Sequence, residues 1–262
     1  DDMSLSSQSS TTCTELYRRA CEGGDMGACR SLGRLLLQGV LAGPPRSISM
    51  RLVRRACANG DLPSCVILGD VLMSSTIPHD RSDAVSKYEV ACYGDNGDAC
   101  ARLGGLYIKG NGVVANQALA QVFLVKACSL RCASGCGQLA EILLARPGDD
   151  AQAEGSRLAR IGAELGDTRA LRLYGQLLVS GSSYVPRDVV RGRTCLDRAC
   201  NGGDIDGCYF LALSLLRSSQ PLVAKRRVLD LLRDACKRGS VPACERLNML
   251  LKLSTEQHHL SR

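Results

Sequence analysis

The sequence predicts an all-α protein, a right-handed α/α solenoid of about seven stacked helical hairpins. Three features predict this fold: a motif that recurs every 35 to 37 residues, an apolar stripe with helical spacing, and a glycine followed by a helix cap. The motif is plainest in its cysteines, which recur as pairs with seven residues between them. The first position of each pair is residue 21, 57, 92, 128, 163, 200 or 236, and Ala163 and Leu171 replace the cysteines of the fifth copy.

A first helix, helix A, is predicted before each first-cysteine position. Small residues stand directly before that position, and larger apolar residues stand four before it. Residues five before it, such as Leu16, Leu52 and Leu158, extend the same stripe, so one face of helix A is expected to be buried. The two columns are Ala20, Ala56, Ala91, Ala127, Gly162, Ala199 and Ala235, and Tyr17, Val53, Tyr88, Leu124, Ala159, Leu196 and Leu232.

A turn and a second helix, helix B, follow. Three residues after the first cysteine position stands a Gly in five copies, which suits a left-handed stop to helix A, and Asp, Asn or Ser usually comes next as the N-cap of helix B. Helix B then carries an apolar residue eleven after the first cysteine position and a small residue at the next position, where two helices can approach closely. These apolar residues are Leu32, Leu68, Leu103, Leu139, Tyr174, Leu211 and Leu247.

The domain organisation follows from the repeat. Copies begin near residues 13, 46, 81, 116, 150, 187 and 221, which predicts a single solenoid over 13–252. Residues 1–12 are rich in Ser and Thr and are predicted to be disordered, and 253–262 is predicted to be a C-terminal tail.

The repeated cysteines are expected to form disulfides. In each hairpin the first cysteine ends helix A and the second lies about one turn into helix B, which places their side chains opposite each other. A metal site is disfavoured, since the chain has no Cys-x-x-Cys and only three histidines. The predicted pairs are Cys21 with Cys29, Cys57 with Cys65, Cys92 with Cys100, Cys128 with Cys136, Cys200 with Cys208, and Cys236 with Cys244. Disulfides require an oxidising compartment, which disfavours the cytosol as the protein's location.

Three cysteines remain outside these pairs. Cys13 and Cys195 fall on the predicted buried stripe of helix A and are interpreted as small apolar core residues. Cys132 occupies a helix N-cap position, where exposed amides and the helix dipole favour a thiolate, and is the candidate reactive thiol. Sequence drift at a permissive cap position is the alternative explanation for Cys132.

The pattern Ala20-Cys21, Gly24-Asp25, Cys29 and Leu32-Gly33 resembles the Sel1-like repeat in its disulfide-bearing form, as in the Helicobacter cysteine-rich proteins. The resemblance covers about residues 13–252. It implies an α/α solenoid that binds partners, usually in bacterial extracytoplasmic settings, and some members have been described as binding penicillin. Mitochondrial respiratory-chain assembly factors with Sel1-like repeats form a second branch.

A stripe of basic residues near the end of helix A is the candidate partner-binding surface. It is formed by residues two and three before the first cysteine position: Arg18, Arg19, Arg54, Arg55, Arg160 and Arg233. Two interpretations stay open: these cations complement the dipole at a helix C-terminus, or they line a groove for an acidic or carboxylate-bearing peptide. Nucleic acid is disfavoured because aromatic residues do not alternate with the basic ones.

The sequence therefore predicts a non-catalytic scaffold that binds a protein or peptide on the concave face of the solenoid. No nucleophile, general base or phosphate-binding loop stands at a workable spacing, and no cofactor, metal or membrane span is predicted. The expected location is periplasmic, cell-surface or secreted, in a host-interaction, envelope or toxin-immunity role. The alternatives are a cell-wall or β-lactam-binding enzyme, by resemblance, and an assembly factor of the mitochondrial intermembrane space. Oligomeric state stays open.

Overall fold

The computed structural model describes residues 13–40, 46–217 and 223–260, and every regular element in these ranges is an α-helix. Helices A and B alternate along the chain as predicted, which confirms the predicted all-α repeat fold. The helices are α1 (13–22), α2 (Met26–Leu37), α3 (Arg46–Ala58), α4 (Leu62–Met73), α5 (Pro78–Tyr93), α6 (Gly97–Lys109), α7 (Gln117–Ser129), α8 (Ala133–Leu144), α9 (Asp149–Glu164), α10 (Thr168–Ser180), α11 (Val189–Asn201), α12 (Ile205–Leu216), α13 (Val223–Lys237) and α14 (Val241–Leu260).

The chain divides into two compact units. Unit 1 is Asp1–Leu130 and unit 2 is Arg131–Arg262, so the boundary falls in the turn after α7. Within each unit a helix packs mainly on its neighbours in sequence, α2 on α3 and α4 on α5 in unit 1, and α8 on α9 and α10 on α11 in unit 2. Such local packing is typical of a repeat array, in which each repeat contacts only its neighbours and there is no central core.

Every A-to-B turn has the left-handed residue that the sequence predicts. The residue three after the first cysteine position has positive φ in all seven copies, with values from 57° to 98°. Five of these residues are glycines, and the other two, Asp95 and Arg131, are the non-glycine residues with positive φ in the described part of the chain. The repeat therefore imposes this backbone conformation even where the side chain disfavours it.

The next residue caps helix B through its side chain in five copies. Asp25, Asp61, Asn96, Asp167 and Asp204 each accept a hydrogen bond from the backbone N–H three residues later. Asp167 is largely buried, and this burial raises the pKa of its carboxyl. The caps satisfy amides that would otherwise lack a partner at the start of each helix B.

The core lies between helix B of one repeat and helix A of the next. The predicted apolar column of helix B is buried throughout, from Leu103 at 0% exposure to Leu247 at 9%. Beside it stand glycines on which the next helix A packs: a Cβ at Gly33 would lie 2.6 Å from Val53, and one at Gly104 would lie 2.5 Å from Leu124. Gly69 faces Tyr88 and Gly175 faces Leu196 in the same way. The glycines therefore set how closely adjacent repeats pack.

At the C-terminal end, α14 continues to Leu260, into the segment 253–262 that is predicted to be a tail, because no Gly or Pro follows Pro242 to end the helix. The predicted disordered segment 1–12 lies outside the described residues.

Replacing Gly104 by Ala tests the close packing of α6 on α7. We expect Gly104→Ala to lower the free energy of unfolding by about 1–3 kcal/mol, because the added methyl group overlaps the fully buried Leu124 side chain. In a Leu124→Ala background the same change should become neutral or stabilising by up to about 1 kcal/mol, since Ala is the better helix former. The double variant has Ala at both contact positions. The chain already has this combination in the next repeat, at Ala140 and Ala159.

The measurement is urea denaturation of the oxidised protein, followed by circular dichroism, for the wild type and the three variants. An equal cost of Gly104→Ala in both backgrounds would contradict the proposed contact.

Candidate partner-binding site

A groove of about 610 Å³ lies on the B helices of unit 1. Three consecutive B helices, α2, α4 and α6, contribute its walls, so side chains from three repeats face one space. Its charged residues are Arg30, Arg34, Asp70, Asp98 and Arg102, and its apolar residues are Leu37, Pro63, Val66, Ile67 and Val71.

The groove has a fixed place in the repeat. Ile67 and Arg102 stand ten residues after the first cysteine position, and Arg34 and Asp70 stand thirteen after it. Positions separated by three or four residues share one face of a helix, so the residues at these positions form a stripe that continues from one helix B to the next. This stripe lies next to the buried column of helix B.

Asp70 holds a hydrogen-bond network in the groove. The Tyr88 hydroxyl donates to Asp70 Oδ1 at 2.6 Å, and Arg102 Nη2 contacts Asp70 Oδ2 at 2.9 Å. Burial, then the hydrogen bond to Asp70, raises the pKa of Tyr88 well above its usual range, so the hydroxyl stays protonated and donates. Both carboxylate oxygens of Asp70 are therefore already used within the protein.

Arg30 connects the groove to the next repeat. Its Nη1 contacts Oδ1 of Asp61, while Oδ2 of Asp61 accepts hydrogen bonds from the backbone N–H and the hydroxyl of Ser64. The same arrangement recurs in unit 2, where Arg172 Nε lies 3.2 Å from Asp204 Oδ2 and Asp204 caps α12. In both copies an Arg on helix B reaches the N-cap residue of the following helix B, 31 or 32 residues later.

These two pairs are not among the contacts predicted above, although the sequence carries a signal for them. Arg30 and Arg172 occupy the same repeat position, nine after the first cysteine position, and each is followed one repeat later by an Asp at the cap position. In the copy that ends at α8 the corresponding residue is Gly137, and Asp167 packs directly against it.

Arg34 differs from the other two arginines of the groove. It is exposed, lies in the last turn of α2, and forms no ion pair in the part of the chain that the structure describes. Its guanidinium is thus available to a ligand in the groove without breaking a contact of the fold.

The arginines predicted from the sequence lie elsewhere, on A helices, and none of them lines the groove. Four face acids on their own helix: Arg18 and Arg19 lie 2.8 and 3.0 Å from Glu15, Arg160 lies 3.8 Å from Glu164, and Arg233 lies 3.2 Å from Asp230. Arg54 and Arg55 are exposed and have no ion pair within the described ranges. The exposed face of helix A thus carries local pairs of the kind that contribute little stability.

Unit 2 has a smaller groove of about 210 Å³ at the same repeat positions. Gln176 and Leu213 stand where unit 1 has Arg34 and Asp70, and Phe210 stands where it has Arg102. Val179, Leu196, Ser180, Ser214 and Arg217 complete the lining, so this groove has one charged residue. The fold therefore accepts either charged or neutral side chains on this stripe.

One cluster offers metal-ligating atoms. His79, Asp80 and Asp83 lie in the first turns of α5, with ligand atoms within 4.8 Å of one another, and His79 Nδ1 is 3.4 Å from Asp83 Oδ2. The His79 and Asp83 side chains are 82% and 50% exposed, so water competes for any ion there. The arrangement fits an i, i+4 pair on a helix surface, with acids near the positive end of the dipole.

Disulfides join the repeated cysteines within hairpins. Cα atoms 4.5 to 4.8 Å apart are bridged by S–S bonds in five hairpins, and Cys128 and Cys136 are each disulfide-bonded as well. The five bridges are Cys21 to Cys29, Cys57 to Cys65, Cys92 to Cys100, Cys200 to Cys208, and Cys236 to Cys244.

The second cysteine is fully buried in four of the five bridges. Cys29, Cys65, Cys100 and Cys208 are 0% exposed, because each lies on helix B at the seam with helix A. In the last hairpin Cys236 and Cys244 are both partly buried. In the other four hairpins the bridge therefore reaches into the core.

Cys195 lies outside the bridges and is buried, as the stripe of helix A predicts. Burial raises the pKa of its thiol, so the neutral form is favoured there.

Cys13 and Cys132 differ from their predicted surroundings. Cys13 is exposed, as is Leu16 at 63%. Cys132 is only 8% exposed, and its side chain makes no cap hydrogen bond to α8. Its Sγ lies 3.4 Å from the Ser134 hydroxyl. The accessible thiol is therefore at Cys13.

The comparisons with known proteins agree with this architecture. The family model described as the Sel1 repeat matches residues 8–25, 27–61, 97–132 and 168–204. The three longer matches each run from a helix B into the following helix A, so they span the interface at which the glycines pack. No curated protein matches the sequence.

Solved structures with the same fold include two bacterial proteins. A Sel1 repeat protein from Oxalobacter formigenes has a TM-score of 0.71 at 14% identity, covering 86% of this chain and 99% of that chain. An immunity protein from Pseudomonas aeruginosa has a TM-score of 0.51 at 15% identity, covering 72% of each chain. At these identities the likeness shows the fold alone. None of the described helices is long and apolar enough to cross a membrane.

Alkylation of the native, oxidised protein tests the accessibility of the thiols. We expect iodoacetamide to modify Cys13 first and to leave Cys132 and Cys195 unmodified over the same time, because both are buried. In denaturant without reductant three cysteines should react, the difference between fifteen in the chain and twelve in disulfides.

Intact mass and peptide mapping measure the sites. Modification of Cys132 as fast as Cys13 would restore the hypothesis of a reactive thiol at this N-cap, and more than three modified cysteines would contradict the disulfide assignment.

Proposed function

Because this chain is a Sel1-repeat protein of the disulfide-rich type, we propose that it is a non-catalytic scaffold that binds another protein or peptide in an oxidising, extracytoplasmic compartment. The observation that carries the proposal is the groove of unit 1, to which three successive repeats contribute side chains. A surface built across repeats suits an extended or helical segment of a partner, which can contact several repeats at once.

The groove supports binding better than the basic stripe of helix A does. It combines apolar side chains, which gain free energy when a partner covers them, with guanidinium groups that can orient a polar ligand. The predicted arginines of helix A instead lie on an exposed face, where four of the six are engaged by nearby acids. We therefore move the proposed binding surface from helix A to helix B.

The disulfides support the location. A closed loop of nine residues contributes about 2–3 kcal/mol by the chain-entropy estimate, which makes oxidation important for a core with few aromatic residues. A periplasmic, cell-surface or secreted location provides the oxidising conditions that these bonds need.

Site-specific photocrosslinking tests the proposal. A benzophenone amino acid replaces Leu37 in the groove or, as the matched control, Arg54 on helix A, and the oxidised variants are irradiated in extracytoplasmic extract of the host. We expect one dominant protein adduct from position 37 and none from position 54. Excess wild-type protein should abolish the adduct, whereas an Ile67→Glu variant, with a carboxylate added to the groove, should compete at least tenfold less well.

An adduct from position 54 alone would favour the basic stripe of helix A over the groove. Adducts from neither position, or hydrolysis of nitrocefin by the purified oxidised protein, would contradict the scaffold proposal. Circular dichroism of each variant shows whether it is folded.

A further inference from the structure

We infer that the groove of unit 1 recognises an acidic peptide segment, one that carries Asp or Glu side chains among apolar residues. This inference rests on the proposed function and adds the chemistry of the partner. It follows from an imbalance in and beside the groove: the carboxylates of Asp70 and Asp61 already receive hydrogen bonds or ion pairs on both oxygens, whereas many guanidinium N–H donors have no acid partner.

The acceptors are used within the fold. Asp70 receives the Tyr88 hydroxyl on one oxygen and Arg102 on the other. Asp61, beneath Arg30, receives that guanidinium on one oxygen and Ser64 on the other. Asp98, the remaining carboxylate of the groove, lies in the first turn of α6, where the helix dipole stabilises its charge.

The donors are in surplus. A guanidinium has five N–H groups, and Arg30 and Arg102 each direct one nitrogen at an acid of the protein, through Nη1 and Nη2 respectively. Their side chains are 32% and 45% exposed, so their other N–H groups can reach a ligand. Arg34 adds a whole guanidinium with no ion pair in the described residues. A carboxylate is the peptide group that best matches such donors, since it accepts two parallel hydrogen bonds.

The apolar residues narrow the partner further. Leu37, Val66, Ile67 and Val71 lie among the charged groups, so a ligand that fills the groove must also bury apolar surface. A peptide with Leu or Val beside Asp or Glu meets both demands. A nucleic acid does not, because no aromatic side chain lines the groove to stack on a base.

The charges of this groove are not demanded by the fold. The same repeat positions in unit 2 hold Gln176, Phe210 and Leu213, and helix B forms there equally well. Arg34 and Arg102 therefore occupy positions where neutral residues suffice for folding, which is expected of residues that serve binding.

Selection from a displayed library of random twelve-residue peptides tests the inference, with the full-length oxidised chain as the immobilised target. We expect the retained peptides to be enriched in Asp and Glu. A retained peptide, labelled with a fluorophore, is then compared with a twin in which Gln and Asn replace its acids. Fluorescence anisotropy should show at least tenfold weaker binding of the twin, and binding of the acidic peptide should weaken as salt rises.

Two variants with the same change of charge locate the site. Arg34→Glu should weaken the acidic peptide at least tenfold, whereas Arg54→Glu, at an exposed arginine on helix A that also has no ion pair in the described ranges, should leave its affinity within twofold. Arg34→Gln should fall between Arg34→Glu and the wild type. Both positions are exposed, so folding is expected to survive, and circular dichroism checks it.

The outcomes separate the two proposals. Retained peptides that are neutral or basic, yet compete for the crosslink at position 37, would overturn the acidic partner and leave the scaffold function standing. Equal effects of Arg34→Glu and Arg54→Glu would overturn the assignment to this groove. Retention of no peptide, together with no crosslink at position 37, would overturn both proposals.

Discussion

The contact between helix B of one repeat and helix A of the next, made at a glycine in four repeats and at alanine in two others, is the packing on which the rest of the structure depends. At Gly104 there is no room for a methyl group beside Leu124, and the same is true at Gly33 beside Val53. A repeat array has no central core, so each repeat is stabilised only through such interfaces with its neighbours. Close packing at the glycine fixes the orientation of helix B, and with it the side chains that face the groove.

The turn between helices A and B adds a second constraint, which the backbone imposes regardless of side chain. Asp95 and Arg131 adopt the left-handed conformation that glycine adopts in the other copies. The capping residue then takes part in two kinds of contact, since Asp61 and Asp204 each accept a hydrogen bond from one backbone N–H of their own helix and another from an arginine of the preceding repeat. These arginines compensate carboxylates that would be costly to bury alone. In five hairpins a disulfide holds the same turn closed.

This division of roles separates structural charges from binding charges. Arg172 is 12% exposed and contacts both Glu141 and Asp204, so it serves the fold of unit 2. Arg34 is exposed and makes no ion pair in the described part of the chain, which leaves it for a ligand. The sequence alone does not distinguish Arg34 from Arg172, because each stands on a helix B.

Patterns in the chain were enough to establish the period, the alternation of helices, the turns with their caps, and the buried columns, because each of these follows from contacts within about one repeat. Which polar side chains face one another across repeats became known only from the packed helices. The pairing of Arg30 with Asp61, the position of Asp70 between Tyr88 and Arg102, and the placing of Arg34 in the groove all depend on the angle between helices. The exposure of Cys13 is also a tertiary property, because the sequence places Cys13 and Cys195 on the same stripe of helix A and only Cys195 is buried.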